Sequence, residues 1–124
     1  MTFGMKNTKT VLDPKQCFDL WIETGSVYKA RLVLKSKYGI VNPETGKLIT
    51  AMGLWDAAWR YVLENMVEAR KSVEQTWRAN GQLLSDAEWY KIVTKRAVYL
   101  YSPSKLEKFL ARHEYLRPYL YAKE

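Results

Sequence analysis

The chain has 124 residues, with 20 Lys plus Arg against 13 Asp plus Glu, a net charge of +7 and a single Cys. That is the length of one domain, and a hydrophobic fraction of 48% excludes a disordered tail. The lone Cys17 excludes a disulfide framework within the chain and a cysteine-based zinc cluster, and only six Gly and four Pro argue for few, long elements, that is, an all-α fold.

The spacing predicts five helices over residues 13–124, after a flexible tail over 1–12. Asp13 is a good N-cap and Pro14 suits the first helical position, so a first helix runs from about Pro14 to Glu23. Cys17, Phe18, Trp21 and Ile22 recur on it at helical spacing. Gly25 supplies a left-handed C-cap, and Ser26 caps a second helix to about Lys37 with Val27, Ala30, Val33 and Leu34 on one side. Residues 40–49 read as a short β-hairpin or ordered loop, since Ile40–Val41 and Leu48–Ile49 flank a turn containing Pro43 and Gly46. Thr50 can cap the next helix.

A long central helix is expected from Ala51 to Ala79, ended by Asn80–Gly81 and spanning roughly 43 Å. Trp55, Trp59, Val62, Met66, Ala69, Val73 and Trp77 repeat along it at steps of three and four, a near-heptad stripe. Ser85-Asp86-Ala87-Glu88 is a capping box that starts a fourth helix with Trp89, Ile92, Val93, Ala97 and Leu100 on its apolar face. Ser102–Pro103 breaks the fourth helix and caps a fifth, about Ser104 to Leu116, which buries Leu106, Phe109 and Leu110 and is ended by Pro118. A tyrosine-rich tail follows it. The organisation expected is one domain, 1–124, with a functional unit over 13–60 and a helical remainder over 61–124.

Charge is uneven: residues 1–50 carry net +4, residues 51–80 zero, and residues 81–124 +3. The densest stretch holds Lys29, Arg31, Lys35 and Lys37, with no acid between Thr24 and Asn42. A polyanion is the natural partner of such a stretch. A solvated face that only keeps the chain soluble is the other reading.

The string Phe18-x-x-Trp21-Ile22-x-Thr24-Gly25-Ser26-x-x-x-Ala30-x-x-Val33-Leu34 is a short helix, a Gly-Ser hinge and a helix with a small residue where two helices can cross closely. It resembles the first two helices of helix-turn-helix DNA-binding proteins, such as small phage and prokaryotic regulators and the DNA-binding part of terminase small subunits. The resemblance covers roughly 40 residues at the level of the fold and identifies no specific family. It implies double-stranded DNA as partner, with a third helix in the major groove. Here that helix would be Thr50 to Arg60, with Thr50, Met52, Asp56 and Arg60 as readers. Lys29, Arg31, Lys35, Lys37 and Lys47 would serve as phosphate or loop contacts. The chain departs from the pattern in its second connection, since Gly39 to Thr50 is far longer than a turn of three or four residues. The expected role is a non-catalytic accessory or regulatory one. The alternatives are a protein-interaction module for an acidic host or phage partner, and a single-stranded nucleic-acid binder.

Lys91, Lys95 and Arg96, then Lys105, Lys108 and Arg112, form a second candidate basic face, for which solvation is the stronger reading. The Trp55–Trp77 stripe offers a homodimer seam, although bulky Trp suits a two-stranded seam poorly and packing within the chain is favoured. No catalytic constellation is found. Cys17 reads as core, and His113 reads as a packing residue beside Phe109 and Leu110. Nothing resembles a phosphate-binding Gly loop or a paired-carboxylate metal site, so no cofactor and no metal are expected. Met1–Thr10 is polar and lacks a signal-peptide core, and no apolar run reaches the ~18 residues of a membrane span. A cytoplasmic protein is therefore expected.

Overall fold

The computed structural model describes residues 12–79 and 84–120, with side chains 77–79 excepted. All of the expected 1–12 tail except Leu12, the Asn80–Gly81 terminator, the Trp77 side chain and Tyr121 lie outside the described residues. Where described, the chain is all-helical, as its shortage of turn residues predicts. It divides by contact into two compact units, 1–64 and 65–124.

Three helices and a loop make the first unit: α1 (Pro14–Thr24), α2 (Val27–Tyr38) and α3 (Ala51–Glu64). The expected caps hold. The Asp13 carboxylate accepts the Gln16 N–H at 2.8 Å, and Gly25 adopts φ 76° so that its own N–H reaches the Trp21 carbonyl at 2.7 Å. Ser26 Oγ accepts from the Tyr28 and Lys29 amides. Thr24 fixes the hinge between α1 and α2: its hydroxyl donates to the Leu20 carbonyl at 2.7 Å and accepts the Ser26 N–H at 3.3 Å. With both orphan helix ends satisfied, α1 and α2 meet through only Gly25 and Ser26.

Helices α1 and α3 carry the core of this unit. Cys17, Phe18, Leu20 and Trp21 are buried on α1; Leu54, Ala57, Ala58, Trp59, Val62 and Leu63 on α3. Trp21 meets Trp55 edge to face at 4.9 Å and Trp59 at 6.3 Å, while Phe18 meets Tyr61 at 4.8 Å. Such pairs contribute about 0.5–1.5 kcal/mol each beyond their buried area. The first half of the tryptophan stripe is thus covered by α1.

Between α2 and α3 the structure has a closed turn in place of the hairpin. The Asn42 N–H donates to the Lys47 carbonyl at 2.9 Å and the Gly46 N–H to the Asn42 carbonyl at 2.7 Å. Asn42 Oδ1 accepts the Glu44 amide, and Gly46 takes φ 72°. Local bonds of this kind compete with a strand ladder, and no strand forms among the described residues. Ile40, whose β-branching suggested a strand, instead sends its N–H back to the Leu34 carbonyl at 2.9 Å after the left-handed Gly39. Ile49 is buried and Thr50 Oγ1 accepts the Gly53 N–H at 3.0 Å to start α3.

The expected long helix over 51–79 is corrected to two. Helical bonding is interrupted at Asn65, and α4 (Met66–Ala79) begins afresh with the Asn65 carbonyl accepting the Ala69 N–H at 2.8 Å. Asn suits a helix start better than a helix interior, because its short amide competes for backbone groups.

The second unit holds α4, α5 (Asp86–Leu100), α6 (Pro103–Arg112) and a 3-10 segment, Glu114–Tyr119. The capping box forms as predicted: Ser85 Oγ accepts the Glu88 amide and Glu88 returns to the Ser85 amide at 2.9 Å. Trp89, Val93, Ala97, Phe109, Leu110 and Leu116 are buried. Arg70 on α4 reaches Asp86 at 2.7 Å, with its guanidinium 6.0 Å from the Trp89 ring centre. The predicted fifth helix is shorter than expected. It stops at Arg112, where His113 leaves helical geometry with φ −137°, and a 3-10 segment containing Pro118 completes the predicted span. Arg117 ties that segment to α6 by bridging Glu107 at 2.9 Å and Glu114 at 2.7 Å.

Candidate nucleic-acid interface

Of the helices in the first unit, α2 is the least buried. It buries only Ala30 and Leu34. Tyr28, Lys29, Leu32, Lys35, Ser36, Lys37 and Tyr38 are exposed. At 3.6 residues per turn, Tyr28, Lys29, Leu32, Lys35 and Ser36 fall on the side opposite Ala30 and Leu34. Lys37 sits in the last turn with its ammonium 5.4 Å from the Tyr38 ring centre, where a cation also complements the helix dipole. The structure therefore brings Lys29 and Lys35 onto one outward face.

Arg31 is placed differently from its three lysine neighbours. It is half-buried, and its Nη1 donates to the Ile49 carbonyl at 3.2 Å. Its guanidinium lies 5.5 Å from the Tyr28 ring centre, and its Nε is buried without an acceptor. Arg31 thus joins α2 to the end of the 40–50 loop and braces Tyr28. Only a fixed guanidinium, with several donors in one plane, can do both.

The third helix, expected to read bases, buries six of its fourteen residues. Only Met52, Arg60 and Glu64 of α3 are exposed. Asp56 is half-buried with Oδ1 out of contact with any donor, and the Thr50 hydroxyl is engaged in capping. Arg60 remains an exposed cation, as does Lys47 on the loop. Tyr28, Leu32 and Ser36 were absent from the sequence-derived candidates. The signal for them was present: both Tyr28 and Leu32 fall outside the apolar set Val27, Ala30, Val33 and Leu34.

The second basic face lies wholly in the second unit. Lys91 and Lys95 are exposed on α5 and Arg96 is half-buried. Glu88, Lys91, Ile92 and Lys95 line an open depression of about 330 Å³. On α6, Lys105, Lys108 and Arg112 are exposed, with the Lys105 ammonium 4.8 Å from the Tyr101 ring centre.

The groups with nucleophilic or acid–base chemistry are otherwise engaged. Cys17 is fully buried, and burial, with Asp13 adding a like charge, pushes its thiol up to about 11. His113 packs against Phe109 with ring centres 4.8 Å apart and the planes tilted by 48°, and its Nδ1 lies 3.3 Å from the Tyr115 hydroxyl. Burial, then Arg112, lowers its affinity for a proton. Among the described residues no three His, Cys, Asp or Glu side chains cluster to hold a metal ion, and no helix is long and apolar enough to cross a membrane. No protein-family model, curated protein or solved structure matches the chain.

Proposed function

We propose that the protein is a non-catalytic DNA-binding accessory or regulatory protein of the small phage or prokaryotic kind, acting in the cytoplasm. Its α1–Gly25–α2 segment serves as a helix-turn-helix-like unit. The observation that carries the reading is the surface of α2: an exposed helix with three exposed lysines, no acid, and a hinge of two residues before it. In a helix-turn-helix the helix after the turn enters the major groove. On this reading α2 meets the bases in place of the third helix of the resemblance, and the exposed Arg60 and Lys47 supply flanking phosphate contacts.

Duplex and single-stranded DNA of one sequence, titrated across a salt series, test this. Binding should favour the duplex and weaken as salt rises. A log–log slope of at least about −2.7 corresponds to the three exposed α2 lysines. Absence of duplex binding near physiological salt, or binding indifferent to salt, refutes it. Preference for the single strand would transfer the assignment to base stacking on exposed Tyr28.

A further inference from the structure

The centre of the α2 face presents an aromatic ring and a leucine, which phosphate binding does not require. Tyr28 is 63% exposed and Leu32 54%, one helical turn apart, with Lys29 and Lys35 on the same outward side. Resting on the reading of α2 as the groove helix, we infer that Tyr28 and Leu32 recognise the C5-methyl groups of thymines.

Three observations lead there. The segment from Thr24 to Pro43 contains no acid and four cations. An anionic surface is therefore its complement, whereas a second copy of α2 would set lysine against lysine. Next, the outward face carries no Asn, Gln or acid and keeps its one Arg turned toward Ile49. It consequently lacks the amides that read adenine; its hydrogen-bonding groups are the Lys29 and Lys35 ammoniums, which suit guanine, and the Ser36 and Tyr28 hydroxyls. Finally, the floor of the major groove presents donors and acceptors at every base pair and only one apolar feature, the thymine methyl. An apolar side chain directed at that floor has no other favourable contact, since burying it against bare polar edges would leave them unsatisfied.

The spacing agrees. Tyr28 and Leu32 stand about 6 Å apart along the helix axis, near two base-pair steps of ~3.4 Å. Tyr28 is held for the purpose by the Arg31 guanidinium against its ring.

The experiment uses the full chain and a duplex recovered from a randomised pool, compared with the same duplex carrying deoxyuridine at every thymine. The replacement leaves charge and pairing unchanged and deletes only the methyl groups. The wild type should bind the uracil duplex roughly fourfold more weakly for each methyl contacted. Leu32→Ala and Tyr28→Ala should each narrow that gap and leave the salt slope unaltered, because neither removes a charge. Equal affinity of the wild type for the two duplexes overturns the inference. So does a gap that survives in both variants, or recovered sites without thymine. A chain that binds no duplex fails earlier, at the proposed function, and takes this inference with it.

Discussion

Replacing Arg31 by Ala separates the two roles open to the basic cluster. As one of four phosphate contacts, Arg31 would matter only to DNA. In the structure it holds the loop. Its Nη1 bond to the Ile49 carbonyl at 3.2 Å is a charged-donor bond worth about 1.5–3 kcal/mol. The contact with the Tyr28 ring at 5.5 Å adds about 0.5–1 kcal/mol for an exposed pair. Against these stands the buried Nε without an acceptor, whose removal returns about 1–3 kcal/mol. Taken at their midpoints these leave a net loss of about 1 kcal/mol, equivalent to roughly 4–8 °C in melting temperature for a unit of this size. Denaturant unfolding followed by tryptophan fluorescence reads it, as three of the five tryptophans, Trp21, Trp55 and Trp59, lie in this unit. Lys29→Ala, which removes an exposed side chain, should leave the midpoint within about 0.5 kcal/mol. If Arg31→Ala unfolds like the wild type and instead flattens the salt dependence of DNA binding as Lys29→Ala does, the loop-anchoring account is wrong.

Two further outcomes concern the first unit. Ala30→Leu forces three extra carbons into a site with no exposed surface, so a loss of about 1–3 kcal/mol in denaturant stability is expected; an unchanged midpoint would mean that α2 is loosely seated. Cys17, with its thiol pushed up to about 11, favours the protonated form in the fold. Its contribution is therefore intact below the ordinary thiol value and is lost as pH rises from 9.0 toward about 11. Cys17→Ala should remove that alkaline component of the stability profile, and the native wild-type thiol should resist alkylation at neutral pH until the chain unfolds.

Much of the fold is local chemistry and was legible as such. Asp13, Ser26, Ser85 and Ser102 all cap helices through hydroxyl or carboxylate groups, and Gly25 and Gly39 take the left-handed angles that end α1 and α2. These signals need no knowledge of what packs where. The interruption at Asn65 was not legible from periodicity, since the apolar steps run from Val62 through Met66 to Ala69 without a change of phase. Only the Asn itself marks it. The turn at 42–47 was ambiguous because Ile40 and Ile49 suit a strand and a buried loop equally.

The candidate site shows the same division. The cationic cluster is visible in the sequence, but the division of labour within it is not, since Arg31 and Lys29 differ only in what lies beside them in space. Assigning the reading role to α3 followed the order of helices in the resemblance. The wide set Leu54, Ala57, Ala58, Trp59, Val62 and Leu63 buries one broad side of that helix and leaves Met52 and Arg60 exposed on the other; the width was already apparent in Leu54, Ala58 and Leu63.

The claim that α2 is the DNA face is met most directly by comparing two paired neutralisations in one salt-series titration on duplex DNA. Lys29→Ala with Lys35→Ala removes two of the three exposed α2 lysines, and Lys105→Ala with Lys108→Ala removes the same charge from α6. The account predicts that the α2 pair lowers the magnitude of the log–log slope by about 1.8 and the α6 pair leaves it unchanged. A slope that falls with the α6 pair and survives the α2 pair would contradict it.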